Sequence, residues 1–595
     1  MHIRKRFHSN LWVVALLGVF ALIISACGGG ATPEAPAATA APAAAASDTS
    51  SAPAATTAPA APAATTAPVA TQAPAVPPAA PEVSGKVTIM QTVFGTEAFE
   101  PRYTLGLGET TYQRALHALL VEGNHDTQMV PGIASAWEVS EDGFTWSMTI
   151  PADHPATFHN GDQLTINDVE FSFQRYFGPE AEDEATSTGA INWSRLTDRI
   201  EITGPETIEV THNKLSSSFP FTYSALQSSS DGGSIIPQKY HEEVGEDGYA
   251  DAPIGAGPFQ LVDFKRSEQL LFEQFPDYYY NPDNGYPEDR RMKFQTLDMR
   301  LVPEESTRVS ALLAGEADIV EVTLQSRERV EAAGGRYVWI EEASYTQVRP
   351  IGCWLPDLPC NDKRVRYALD YAIDKELIRD NLYGGTEGAG LAGFEAVTPS
   401  TLGYSPELDA TPYDPERARE LLAEAGYPGG EGYPPFTLYT WQASDTPFMV
   451  EHAELIAQMW QDNLGLDVTV EAGQNVSIRE RVRNRELDGH VYFRSNEGRW
   501  DGGSLVRSMH YLDSSLRQSE DPELVRIADE GLSVMDPALR HDAYNKMYLA
   551  SWEEHYSFST IYTNLPLGLS SRIKTYQPWP LGPYPTALWT VTLEQ

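Results

Sequence analysis

Thr157-Phe158-His159-Asn160-Gly161-Asp162-Gln163-Leu164-Thr165-Ile166-Asn167-Asp168-Val169-Glu170-Phe171-Ser172 is the stretch on which the reading of this chain turns. Its second half is a helix start. Thr165 and Asp168 stand three apart, the spacing of a capping box, in which a hydroxyl and a carboxylate satisfy otherwise unpaired backbone N–H groups. Apolar residues from Val169 to Tyr176 follow, so a helix is expected after Thr165. His154 and His159 are the closest two histidines of the body, and they are expected at the surface or in turns.

Working outward, the preceding residues alternate as strands do. Trp137-Glu138-Val139 and Phe144 to Ile150 are joined by Ser140-Glu141-Asp142-Gly143, which predicts a hairpin. A second hairpin is expected from Arg199–Ile202 and Thr207–Thr211, turning at Gly204-Pro205, and Lys86 to Val93 reads as an earlier strand. After residue 360 the pattern changes to helices alternating with strands. Val365, Leu369, Ala372 and Ile373 form one apolar helical face, and Asp414-Pro415, Asp521-Pro522 and Asp536-Pro537 have the cap-then-proline order of helix starts. Val450 to Asn463 predicts another helix, followed by the alternating strand Leu466 to Val470. The body is therefore mixed α/β, with two lobes of different construction.

The N-terminus sets the compartment. Met1 to His8 is basic, Leu11 to Ile24 is an apolar run of about fourteen residues, and Ser25-Ala26-Cys27 follows. That is the layout of an export signal, and the run is shorter than the roughly twenty residues a spanning helix needs. Ile24-Ser25-Ala26-Cys27 also resembles a bacterial lipobox, which implies lipidation of Cys27 and attachment to the membrane by acyl chains. Residues 27–84 are Ala, Pro and Thr almost throughout, a semi-rigid tether rather than a folded unit. Cys353 and Cys360 remain, flanking a six-residue loop that a disulfide closes in a non-reducing location; the alternative is two buried thiols.

Charge excludes some partners. The 595 residues carry 42 Lys+Arg against 83 Asp+Glu, a formal charge of −41, which repels nucleic acid and anionic lipid. There is no Gly-x-Ser-x-Gly, no His-Glu-x-x-His and no phosphate loop, so no catalytic centre, cofactor or metal site is expected.

Much of the body, from about 115 to 427, then resembles one family. Ala115 to Gly123 with Pro131 to Gly143, the opening stretch 157–172, Pro253-Ile254-Gly255-Ala256-Gly257-Pro258-Phe259, Asp362 to Leu369 with Ala372-Ile373-Asp374, and Tyr413 to Tyr427 resemble, in order, the landmarks of family 5 extracellular solute-binding proteins. These are receptors of dipeptide, oligopeptide and nickel importers. The resemblance implies a bilobed type II periplasmic-binding-protein fold with an extra hairpin-rich subdomain. On it, residues 1–26 are the lipoprotein signal peptide and 27–84 the lipidated cysteine and tether. Lobe I comprises 85–120, 235–345 and 565–595, the hairpin-rich subdomain 121–234, and lobe II 346–564, with crossings near Ala343–Pro350 and Tyr562–Pro566.

The resemblance also implies a non-enzymatic role. The protein is expected to be a monomer that captures a peptide or other small solute between its lobes and delivers it to an ABC permease and its ATPase. Arg494-Ser495-Asn496-Glu497-Gly498-Arg499-Trp500-Asp501 matches the stretch that carries an Arg, a Trp and an Asp in oligopeptide binders, one residue out of register. Asp501, with Glu497 as alternative, is the expected ammonium anchor; Arg494 orients a carboxylate or carbonyl, and Trp500 walls the pocket. Trp441 and Trp500 would instead stack on sugar rings if the solute is an oligosaccharide. A surface hydrolase or adhesin on the same fold is the third reading.

Overall fold

A computed structural model describes residues 84–594 apart from 105–107, 127, 182–184, 226–231, 396, 444–445, 512–513, 515–516 and 583–584. The signal segment, Cys27 and all of the tether but Ser84 lie outside the described residues. Among the described residues no helix is long and apolar enough to cross a membrane.

One large sheet organises the body. Its strands run in the order Val468–Ala472, Phe436–Thr440, Val491–Glu497, Arg336–Pro350, Ile561–Leu569, Ile319–Glu321, Lys86–Gln91, Thr296–Leu301, Gln269–Gln274 and Phe259–Lys265, with Ala389–Leu391 also on Ile561–Leu569. The first strand, Lys86–Gln91, lies inside the sheet, parallel to both its neighbours. Arg336–Pro350 and Ile561–Leu569 are antiparallel partners shared by the two halves. Their register shifts between Ile340 and Ser344, where Glu342 takes a left-handed φ of 51°. Late in the chain, Ile573–Thr575 pairs with Thr592–Leu593, and Leu593 packs against Gly85.

Apolar burial follows this division. Val365, Leu369, Phe436, Trp460, Phe493 and Tyr548 belong to one core; Val87, Leu116, Phe272, Leu297 and Leu567 to a second. A third core, holding Trp146, Met148, Phe173 and Val210, lies under a separate four-stranded antiparallel sheet in the order Ala136–Val139, Thr145–Thr149, Thr207–His212, Thr197–Ile202. Both hairpins expected from alternation are here. Helix starts read from Asp-Pro are present too: Asp414, Asp521 and Asp536 each accept a backbone N–H of their first turn. Cys353 and Cys360 are joined by a disulfide, with Cα atoms 5.0 Å apart.

The capping box forms and does more than cap. Asp168 Oδ2 accepts Thr165 N–H at 2.9 Å and its hydroxyl at 2.8 Å, while Oδ1 accepts Gln238 N–H at 3.0 Å. One buried carboxylate thus ties the starts of helices Ile166–Phe177 and Gln238–Asp251.

His159 lies in a turn, as expected, and His154 closes one, but both make long-range contacts that the sequence does not show. His154 is buried, with Nε2 2.9 Å from Tyr286 Oη and 3.3 Å from Gly132 O. His159 receives Gly255 N–H on Nδ1 at 3.2 Å, so Nε2 donates to Gly257 O at 3.1 Å. His159 ties its turn to the Pro253–Phe259 segment and His154 ties its own to Gly132 and Tyr286, long-range contacts that polar flanks conceal. Burial lowers the pKa of both, His159 to about 4. Gly255 must be glycine, because a Cβ there would sit 2.0 Å from Leu116 O.

Asp168→Ala removes the carboxylate acceptor of two part-buried backbone N–H groups, those of Thr165 and Gln238. It should cost about 2–4 kcal/mol, read as a lower urea midpoint; a loss under about 0.5 kcal/mol would mean the carboxylate is dispensable.

Candidate functional site

The central pair of strands sets a polar floor. In the ladder between Arg336–Pro350 and Val491–Glu497, Tyr345 stands opposite Asn496, Gln347 opposite Arg494, and Arg349 opposite Tyr492. Residues two apart share a face, so these six side chains lie on one side. Thr346, Val348 and Phe493 lie on the other, where Val348 and Phe493 join an apolar core. Every residue of the floor except half-buried Asn496 is buried. Arg349 forms an ion pair with Glu395 at 3.1 Å, and Gln518 Nε2 donates to the same carboxylate. Arg494 donates Nη2 to Asn496 Oδ1 at 3.0 Å. Burial, then the neighbouring Arg349, lowers its pKa to about 10.

Beyond Glu497 the chain turns sharply. Gly498 N–H donates to Ala343 O at 2.8 Å, and a Cβ on Gly498 would come within 1.9 Å of Glu342 O, so only glycine fits. The next residues are held by backbone: Thr401 Oγ1 donates to Arg499 O at 2.9 Å, and Leu402 N–H to Trp500 O at 2.7 Å. Asp501 then opens helix Gly503–His510, accepting Gly503 N–H at 2.8 Å and Tyr544 Oη–H at 3.2 Å. It is 5% exposed and makes no ion pair with the described residues. Burial pushes its pKa up to about 6.

This loop meets the other half of the molecule. Tyr544 Oη is also 3.1 Å from Ser217 Oγ, and Ser217 N–H donates to Leu532 O at 2.8 Å. Arg507 Nη2 donates to Leu215 O at 3.1 Å. The Trp500 ring lies 4.6 Å from Phe221 and packs near Trp579 and Ala587. Asp501 and Trp500 are therefore placed together where two parts of the body touch.

The remaining candidates separate. Arg494 is on the floor, with Arg499 between it and Asp501 in sequence. Glu497 faces the opposite side of its strand from Arg494, opposite Ser344 in register. Trp441 is half-buried at the end of Phe436–Thr440, its ring 5.7 Å from Tyr492, packed with Ile351, Ile478 and Leu487. Tyr345, Gln347 and Arg349 were missed in the sequence, although the Tyr-Thr-Gln-Val-Arg alternation places them on one face.

One group of possible metal ligands, Glu100, His241 and Glu246, is already occupied. Arg175 donates to Glu100 at 2.7 and 2.8 Å and to Glu246 at 2.5 Å, and Arg102 to Glu246 at 2.8 Å. Burial opposes ionisation of Glu100, but hydrogen bonds from His241 and Arg175 hold its carboxyl down at about 2. Two guanidinium groups on these carboxylates do not fit a cation site.

The model of bacterial extracellular solute-binding proteins, family 5 middle, matches residues 128–505. The chain belongs to this family. Among curated relatives of this family 5 protein, heme-binding protein A of Haemophilus influenzae is 24% identical over 489 residues, covering 79% of this chain and 85% of the relative. The dipeptide-binding protein of Escherichia coli is 25% identical over 404 residues, covering 64% and 71%. Among solved structures, the ABC transporter substrate-binding protein CtaP of Listeria monocytogenes superposes with TM-score 0.70 at 21% identity, over 86% of this chain and 100% of that one. DppA of Helicobacter pylori, in complex with peptide STSA, gives 0.69 at 19%, over 86% and 99%. The bilobed α/β architecture implied by the sequence is therefore the fold of this family 5 protein.

Because the fold raises the pKa of Asp501, ionising it opposes folding. Stability should be unaffected by Asp501 below about pH 4 and should fall as pH rises through 6, by up to about 3 kcal/mol. Asp501→Asn should remove that dependence in melting curves from pH 4 to 8; parallel wild-type and variant profiles would refute it.

Proposed function

We propose that this protein is the extracytoplasmic receptor of an ABC importer, capturing a peptide-like solute between two lobes and handing it to a membrane permease. The observation that carries the reading is Asp501: a buried carboxylate that makes no salt bridge with the described residues, with Arg540 and Arg499 acting on it only at longer range, at the joint between two parts of the body. Burying such a charge unpaired is costly, and a ligand ammonium would relieve it. Relatives named as dipeptide-, di/tripeptide- and glutathione-binding proteins support the same class of solute. Trp441 leans on Tyr492 and Trp500 on Phe221, which favours peptide over a sugar stacked on free indole faces.

In this reading lobe I is 85–120, 235–345 and 565–595, with 121–234 as its subdomain, and lobe II is 346–564. The lobes close by bending where Arg336–Pro350 and Ile561–Leu569 cross, and ligand favours the closed form because it is touched from both sides. Cys27 carries the lipid, and the Ala/Pro/Thr stretch holds a monomeric body away from the membrane. The protein binds without turnover.

Thermal unfolding against peptide, oligosaccharide and nickel-chelate panels tests this. Ligand at about a hundred times its dissociation constant adds roughly 2.7 kcal/mol. Peptides alone should stabilise, and Asp501→Ala should weaken them by about 2–5 kcal/mol. Stabilisation by oligosaccharides alone would replace the peptide reading. Small-angle scattering should give a smaller radius with ligand; an unchanged radius would sink lobe closure. Cys27→Ala should release the protein from membranes.

A further inference from the structure

The residues after strand Thr207–His212 form a strap that is anchored at both ends in the hairpin-rich part of the body. At its start, Asn213 N–H donates to Leu196 O and Asn213 Nδ2 to Arg195 O, both at 2.9 Å. At its end, Phe219 is fully buried against Phe177, Trp193 and His212, with ring centres 4.2 to 5.4 Å apart. Between and just beyond these anchors, the strap reaches a different part of the chain: the helices Gly503–His510, Pro522–Leu532 and Pro537–Glu554 and their ends.

The contacts are of several kinds. Lys214 Nζ lies 4.4 Å from the centre of the Tyr511 ring, and Arg507 donates to Leu215 O at 3.1 Å. Ser217 N–H donates at 2.8 Å to Leu532 O, a terminal carbonyl that its own helix cannot pair. Met535 packs on the core that holds Trp146 and Phe173; a Cβ on Gly143 of the hairpin turn would lie 2.9 Å from Leu215 and 3.4 Å from Met535. Arg540 lies over the Phe221 ring at 5.6 Å. Tyr544 joins this set to the candidate site, with its hydroxyl 3.1 Å from Ser217 Oγ and 3.2 Å from Asp501 Oδ2. A phenol has one proton. Given to the carboxylate, it leaves the tyrosine oxygen to accept from Ser217, so the three groups form a directed chain.

We propose that residues 213–221 are a clasp that holds the two lobes closed, and that Tyr544 is a positioning residue linking this clasp to Asp501. The inference rests on the receptor reading above and its lobe division, which puts the strap in the subdomain of lobe I and the three helices in lobe II. None of the clasp residues belongs to the ladder of Arg336–Pro350 with Ile561–Leu569, so bending there opens the clasp without tearing the sheet. The clasp is protein against protein, and it favours the closed form whatever the cargo. The shared hydroxyl makes it answer to cargo: an ammonium that fixes Asp501 also fixes the seat of Ser217. Linkage runs both ways, so loosening Ser217 weakens cargo binding even though Ser217 lies a residue away from the anchor.

Hydrogen exchange of the full chain, with and without tri-alanine as probe, tests this. The amides of 213–221 should be protected in the unliganded protein, and Met535→Ala should speed their exchange at least about fivefold. Tri-alanine should slow it further. Tyr544→Phe keeps the ring and its packing; it should still bind tri-alanine but lose that added protection, which a purely structural ring would preserve. Ser217→Ala should release tri-alanine about fivefold faster in stopped flow, with association unchanged. The double variant should bind no more weakly than Tyr544→Phe alone, since both act through one hydroxyl. Strictly additive losses would overturn the link through Tyr544. Exchange over 213–221 as fast as in an exposed loop, or unmoved by Met535→Ala, would overturn the clasp and leave the receptor reading intact. Failure of the wild type to bind tri-alanine or any other peptide would overturn the peptide reading, while the unliganded exchange would still decide the clasp.

Discussion

The antiparallel ladder between Arg336–Pro350 and Ile561–Leu569 is the interaction on which the rest of the molecule depends. It extends one sheet through both halves, so each half borrows an edge from the same two strands. Seven residues of the first strand also pair with Val491–Glu497, which carries the site onto the ladder. A rigid ladder would lock the halves together. The register shift between Ile340 and Ser344 and the left-handed Glu342 interrupt it at the crossing, next to the Gly498 turn.

Polar burial is concentrated near that crossing. Ser344, Thr346, Thr446, Thr560 and Thr563 hydrogen-bond one another on one face of the ladder, at 2.6 to 2.7 Å. That face is internally satisfied and gives structure. The opposite face holds Gln347 and Arg494 and is not satisfied. The contrast lies across one sheet, both of whose faces are buried.

Local signals in the sequence proved legible wherever the interaction is local. Thr165 with Asp168, Asp414 with Pro415, and the hairpin at Asp142-Gly143 each fold by rules that span a few residues, and each is present. The family landmarks lie on such elements, which is why the bilobed architecture was readable. The floor was not, because Gln347 and Arg494 are 147 positions apart and meet only through strand register. Asp501 was found by its motif, but its burial without a salt bridge to the described residues and its link through Tyr544 to Ser217 are tertiary facts. The contacts of His154 and His159 were hidden for the same reason, as their partners Tyr286, Gly255 and Gly257 lie about a hundred residues away.

The placement of Lys86–Gln91 inside the sheet bears on how the chain is made. Its half of the sheet is completed only by Ile561–Leu569, and Leu593 closes over Gly85. The part of the body that is synthesised early must therefore wait for strands synthesised much later, with its strand edges open in the meantime. Such sequence-distant pairing folds slowly and invites misassembly. The strong negative charge of the body, −41 for the chain as a whole, then has a use before any solute arrives: mutual repulsion keeps half-finished copies apart while each waits for its own C-terminal strands.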